Sequence, residues 1–343
     1  NTSKEFPKDG YVLNTEKSIC KNGGILSQDP MTKNISMKTS NTDQCTLYFD
    51  KMIPTLKDFY DNIIERNDIP NFTNPATTDE TTNGLFKMED DYGTSYYYRG
   101  TAPNNYVKFA RTADGQDMWW RIIRFNGNGT VRMQYDGVGA AGENTYTRDF
   151  ALTNLVWNWT YSDNKYVGWM HGDTGRNAST SKEEAQRNEI DSTTKSNVDT
   201  WYKNNVVDTG FSNYIADAIF CNDRSFESRN TGTGYGKSLT YYGARGRTGV
   251  SEGPTQPRFT CPQENDKFTV EEESGGNGAL TYPVGLITAD EIVAAGSGKY
   301  HSTNNSFYIN KGSTYWTFSP YNAGNTNAVM FVVGSSMGLS YSN

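Results

Sequence analysis

The sequence predicts an α+β protein: a small disulfide-stapled β unit with one helix, then a larger mixed domain of antiparallel strands. Three observations predict it. The four cysteines fall into two pairs, Cys20 with Cys45 and Cys221 with Cys261, each bracketing a modest loop and neither in CxxC spacing, which reads as two structural disulfides made in an oxidising compartment. Short runs of β-branched and aromatic residues alternate with polar turns through most of the chain. Helical spacing of apolar residues is confined to a few segments.

Taken in order, Tyr11 to Leu13, Ile25 to Leu26, Ile35 to Met37 and Thr46 to Phe49 are strand candidates inside a first unit spanning residues 1–70. Asp50 is placed to cap an amphipathic helix reaching Arg66, with Met52, Leu56, Phe59 or Tyr60, and Ile63 on its inner face. The Thr/Asn/Pro-rich stretch 71–84 reads as a linker, and 85–343 as the larger domain. There, Ser95 to Arg99, Tyr106 to Ala110, Met118 to Phe125 and Thr130 to Tyr135 form a meander. Its turn is Asn126-Gly127-Asn128-Gly129, where Asn and Gly tolerate the positive φ of hairpin turns. Further helices are expected at Asn197 to Val207, Ser212 to Phe220 and Ala289 to Ala295. The last carries a capping box of Thr288 with Glu291 and a Gly296 C-cap. Residues 228–253 read as a long Gly/Arg/Tyr-rich insertion tied shut by Cys221–Cys261. Tyr315 to Phe318 and Ala328 to Val333 close the list of strands.

Aromatics make up 13% of the 343 residues, so the chain folds, with rings supplying much of its buried area. A net charge of −7 argues against nucleic acid or an anionic membrane as partner, since either calls for a basic face. No apolar run is long enough to insert in a bilayer. The start at Asn1, without Met or an apolar leader, reads as a chain whose export signal has been removed. Sequons at Asn34, Asn71, Asn128, Asn158, Asn177 and Asn304 matter only in a eukaryotic host.

Catalytic signals are few. The stretch from Gly232 to Ser238 ends in Gly-Lys-Ser, but the first glycine a phosphate loop needs is Thr231, so a flexible loop is the better reading. His171 and His301 lie far apart and outside any metal or triad spacing, so no metal site is assigned. No cofactor is called for, although loop Asp and Asn oxygens leave calcium open without EF-hand spacing. A glycosidase carboxylate pair needs no local motif, and Asp90 with Asp91, Asp217 with Asp223, or Asp290 with Glu291 would be its candidates. Each also reads as a cap or a solvated surface. The aromatic pairs within Tyr96-Tyr97-Tyr98, Trp119-Trp120, Tyr241-Tyr242 and Tyr315-Trp316 would turn one ring inward and one outward on a strand. Exposed rings beside Asn, Ser and Gly suit sugar stacking or protein contact.

Four segments carry a family resemblance: Trp119-Trp-Arg-Ile-Ile-Arg-Phe-Asn-Gly127, Ile219-Phe-Cys-Asn-Asp-Arg-Ser225, Tyr282-Pro-Val-Gly-Leu-Ile-Thr-Ala-Asp-Glu-Ile-Val-Ala-Ala-Gly296 and Tyr315-Trp-Thr-Phe-Ser-Pro-Tyr321. With Cys20-Lys-Asn-Gly23 and Cys45-Thr-Leu-Tyr-Phe49, they resemble a group of surface or secreted proteins of gut Firmicutes. The C-terminal domain of that group is similar to the C-type-lectin-like fold of formylglycine-generating enzymes. The resemblance implies Trp316 and Ser319 as a fold motif and Tyr321, Asn322, Asn325 and Asn327 as ligand contacts. It does not imply formylglycine-generating activity, because all four cysteines are accounted for and none is left for that active site. Similar proteins carry a terminal Gly-Val-Arg-Pro-Val strand that this sequence lacks, which raises donor-strand assembly into a filament. The expectations are thus an extracellular, non-enzymatic, adhesin-like module for a glycan or surface protein, with self-assembly as the alternative and a carboxylate glycosidase as the second alternative.

Overall fold

The computed structural model describes residues 11–28, 35–39, 42–51, 60–138, 156–158, 162–251, 253–324, 326–335 and 337–342, in two compact units divided between Asn62 and Ile63. The first unit consists of three antiparallel ribbons. β1 (Tyr11–Leu13) pairs with β6 (Phe49–Lys51), β2 (Ile19–Cys20) with β5 (Cys45–Thr46), and β3 (Ile25–Gln28) with β4 (Ile35–Lys38). Cys20 and Cys45 sit directly opposite one another and are joined by a disulfide. Two- to four-residue ribbons bury too little to stand alone, and in this unit Leu13 is the one buried apolar side chain among the described residues. The cross-link therefore supplies what the core does not. The carboxylate of Asp43 ties the adjoining loop by accepting from the Asn22, Gly24 and Gln44 amides.

The helix expected from Asp50 to Arg66 is corrected at both ends. Asp50 lies inside β6, and Glu65 is extended, bridging Leu85. Residues 52–59 lie outside the described residues.

In the second unit, five antiparallel strands form one sheet: β7 (Phe86–Asp90), β8 (Gly93–Tyr97), β9 (Tyr106–Arg111), β10 (Asp117–Phe125) and β11 (Val131–Val138). The turn from Asn126 forms as its residues require. Asn126 N–H donates to the Thr130 carbonyl at 2.8 Å, and Gly129 takes φ 81°. Short ribbons follow: β12 (Met170–His171) with β13 (Ile190–Asp191), and β14 (Phe220–Cys221) with β16 (Lys267–Phe268). A second sheet is ordered β15 (Thr240–Tyr241), β17 (Tyr315–Ala323), β18 (Ala328–Val333) and β19 (Leu339–Ser342). Helices are short: α1 (Lys182–Ala185), α2 (Thr193–Tyr202), α3 (Gly243–Arg247) and α4 (Ala289–Ile292), with α2 and α4 each running on into one wider turn. Every named strand pair is antiparallel and helices are few, so the α+β expectation holds. Ser212 to Phe220 is not a helix. After one turn at Ser212–Tyr214 the chain runs extended into β14, which Cys221–Cys261 anchors.

Two apolar clusters fill the space around α4 and the second sheet. One contains Ile292, Val293, Phe307, Ile309, Phe331 and Val333, and the other Trp157, Trp169, Phe268, Phe318 and Met330. The capping box on α4 is present as expected, with Thr288 accepting from Glu291 N–H and Glu291 from Thr288 N–H. Gly296 ends that segment at φ 117°, where a Cβ would lie 2.7 Å from the Cβ of Ala76.

That close approach overturns the linker at 71–84. Ala76 is buried and its N–H donates to the Gly296 carbonyl at 2.9 Å. Arg99, 1% exposed, donates to the carbonyls of Val293 and Ala294 and to those of Asn71 and Asn74, while its Nε meets Glu80 at 2.8 Å. One guanidinium thus satisfies the orphan carbonyls at the end of α4 and binds the 71–80 segment to them. Polar composition suggested a tether, but the polar groups that matter here are backbone carbonyls, which composition does not report.

Candidate functional site

The sequence-predicted contacts lie on the second sheet. Its strands carry no charged residue, and β17 is irregular: between the pairs Pro320–Met330 and Asn322–Val329 it contains one residue more than β18. Tyr321 is that extra residue. A bulge re-aims the side chain it carries, and the missing N–H of Pro320 is tolerated at such a break. Tyr341 of β19 stacks on Tyr321 with centroids 4.7 Å apart and planes 18° apart. Tyr300 lies 5.8 Å from Tyr321 and 6.1 Å from Tyr341, and His301 stacks face to face on Tyr300 at 3.9 Å. Phe331 braces the set edge-on, 5.0 Å from Tyr321. The result is a stack of four near-parallel rings, in which Tyr341 is 47% exposed, His301 is exposed and Tyr321 is only 9% exposed.

Its geometry is held by the turn before it. His301 adopts φ 62°, uncommon for a residue with a Cβ. Its N–H donates to the Leu339 carbonyl at 2.9 Å, Gly338 N–H donates to the Ser302 carbonyl, and Tyr300 N–H to the Thr248 carbonyl. Burial pushes the Tyr300 phenol well up, with Tyr321 and Tyr341 adding to the effect, so this phenol remains neutral over the physiological range. Beside the stack, the Arg245 guanidinium lies over Tyr241 at 4.2 Å and near Tyr321 at 5.5 Å. Burial alone would depress Arg245, but its bonds to Glu227 and Tyr321 hold it above its ordinary value.

Of the expected contacts, Tyr321 is therefore the base of the stack rather than its open face. Asn322 and Asn327 are half-buried at the same end of the sheet, and Asn325 lies outside the described residues. Trp316 packs in the core 6.1 Å from Trp157, and buried Ser319 accepts from Ala289 N–H, fixing the start of α4 to β17. Sequence reading did not name Tyr300 or Tyr341 and weighed His301 only as a metal or triad residue, because the rings come from separate segments, 300–301 and 341, and neither stands out alone.

Five of the six candidate acids, all but Asp217, converge elsewhere, around a cleft of about 30 Å³, which is room for a few waters and not for a sugar ring. Each is already engaged. Arg124 meets Asp90 at 2.6 Å and Glu291 at 3.1 Å, and Arg132 meets Glu291 at 2.6 Å. Arg247 meets Asp223 and Asp290, and Asp91 pairs with Lys267. Asp217 accepts from the Val270 and Glu271 amides. Burial opposes ionisation of Glu291, but Arg132 and Arg124 outweigh it and its pKa is lowered. That is the opposite of what a general acid requires.

The Gly232–Ser238 segment is tied to its surroundings by hydrogen bonds. Asn164 donates to the carbonyls of Tyr235, Gly236 and Ser238, and Gly236 N–H donates to Ser179 Oγ. Among the described residues one group has metal-like spacing, Cys20, Asp43 and Cys45, but both sulfurs are spent in the disulfide.

His171 is buried, its Nδ1 3.0 Å from the Gly172 carbonyl, and burial lowers its pKa, with Lys165 and Arg224 adding to the effect. A depressed folded-state pKa means the unfolded chain takes up the proton first. Stability contributed by neutral His171 should be complete above about pH 6.5 and fall as the pH drops toward the folded-state value. Urea melts across pH 5 to 8 check this, and His171→Gln should flatten the acid-side decline.

Among the described residues, no helix is long and apolar enough to cross a membrane. Compared with protein-family models, curated proteins and solved structures, the chain matches none.

Proposed function

We propose that this protein is an extracellular, non-enzymatic recognition module that holds a saccharide ring against the aromatic stack of the second sheet. The observation that carries the reading is the stack itself, with Tyr341 exposed on an uncharged strand and His301 exposed on the turn beside it. Sugar rings present apolar C–H faces that pack on flat, preorganised rings, and tyrosine offers such area at little entropic cost. Two disulfides fit an oxidising, extracellular setting. The engaged carboxylates weigh against the glycosidase alternative.

Assembly by strand addition is the weaker reading. The 301–302 turn already takes the Leu339 carbonyl at the start of β19 and the Gly338 N–H before it, which shortens the edge open to a donor strand.

A glycan array probed with wild type and Tyr341→Ala tests the proposal. Removing an exposed anchor ring should weaken binding to any hit about tenfold or more while leaving the thermal melt nearly unchanged. Hits of equal strength for both proteins would remove the stack from the binding site.

A further inference from the structure

The acidic residues are unevenly placed. In a chain with 39 of them, residues 228–251 contain none, and residues 292–343 contain none. These two segments build the whole second sheet, α3 and the 299–302 turn. The first contributes Arg229, Lys237, Arg245 and Arg247, and the second Lys299, His301 and Lys311. Arg247 and Lys311 are consumed by buried partners, Arg247 by Asp223 and Asp290, and Lys311 by Asp136.

Lys299 and Arg245 are placed differently. Lys299 is exposed, adjoins Tyr300 in the chain, and packs against the end of α3, its Cβ 3.0 Å from where a Gly249 Cβ would be. No carboxylate among the described residues pairs with it. Arg245 is 19% exposed and rigidly held, with Nη1 donating to Glu227 at 2.7 Å and to Ser251 at 3.0 Å. Glu227, 2% exposed, balances the Arg245 charge, so what Arg245 adds at the rim is a set of oriented N–H donors and not net charge. The ring stack thus has, next to Tyr300 in the chain, an ammonium that no described carboxylate pairs with, and, 5.5 Å from Tyr321, a fixed guanidinium balanced by Glu227, while the two segments that carry the rings contain no acidic residue. In a chain of net charge −7, ring-bearing segments without an acidic residue are compatible with a negative ligand.

We infer that the platform takes an acidic saccharide, with a sugar ring on Tyr341 and His301 and its carboxylate or sulfate group on Lys299 and Arg245. The inference rests on the platform reading proposed above and names the ligand class of that site. A uronate and a sulfate ester share the chemistry argued here, an oxyanion on a sugar ring.

Binding of the full chain to dextran, dextran sulfate, polygalacturonate and polyglutamate, each at low and high salt, tests it and separates the two oxyanions. Either or both acidic polysaccharides should bind at least about tenfold more tightly than dextran, and the advantage should shrink as salt screens it. Lys299→Gln should weaken the acidic polysaccharides several-fold without changing the thermal melt. Arg245→Lys, which keeps the charge but loses the planar fork, should weaken them as well. Tyr341→Ala should abolish the difference between the acidic polysaccharides and polyglutamate. Equal binding of dextran and the acidic forms, still dependent on Tyr341, would overturn the inference and leave the platform reading standing. Polyglutamate binding as tightly as the acidic polysaccharides would overturn it by showing a general polyanion surface. Binding to none of the saccharides would overturn both.

Discussion

Replacing Arg99 with Met should lower the unfolding free energy by about 3–5 kcal/mol. Met retains much of the buried stem volume, so the loss isolates the donors. Four backbone carbonyls, those of Asn71, Asn74, Val293 and Ala294, would lose the guanidinium, and Glu80 would lose its partner. A buried acceptor without a donor costs about 1–3 kcal/mol, and the Val293 and Ala294 carbonyls are of that kind, whereas Asn71 and Asn74 are exposed residues. Urea unfolding measures the change, and hydrogen exchange should show the 71–80 segment opening before the sheets. A loss under about 1 kcal/mol would mean that this segment is not anchored through Arg99.

Glu291→Gln should cost a similar amount, about 3–5 kcal/mol. Glu291 sits between Arg124 and Arg132 and also completes the capping box of α4. Gln preserves the shape but leaves buried Arg132 with the Leu286 carbonyl and the Phe220 ring as its remaining partners. Because the Glu291 pKa is lowered in the folded state, its contribution is present above the ordinary glutamate value and lost as the pH falls through the folded-state value. The difference between wild type and Glu291→Gln should therefore be full at neutral pH and narrow in acid. A difference constant down to strongly acidic pH would contradict the assignment.

The sequence made the local features legible. Asn126 to Gly129 needs positive φ and forms the expected turn, Thr288 and Glu291 form the expected capping box, and the cysteines pair as their positions suggested. Features that depend on distant partners were not legible. Residues 71–84 look like a tether until Arg99 is seen to bind their carbonyls, and the Gly-rich 232–238 segment looks loose until Asn164 and Ser179 are seen to hold it. β19 is a short Ser-rich strand with little propensity signal, formed by pairing with β18. The site followed the same rule. The tail around Tyr321 pointed to the sheet that carries the ring stack, but the exposed rings of that stack are His301 and Tyr341, brought together by a bulge at Tyr321 and a strained turn at His301. Sequence spacing carries no trace of that meeting.

The most direct test of the recognition reading is a crystal structure of the protein with a saccharide selected by binding. The account predicts a sugar ring lying parallel to Tyr341 within van der Waals contact, bordered by His301. Density for the sugar in the arginine-lined cleft beside Glu291, or on the outer face of the five-stranded sheet, would contradict it.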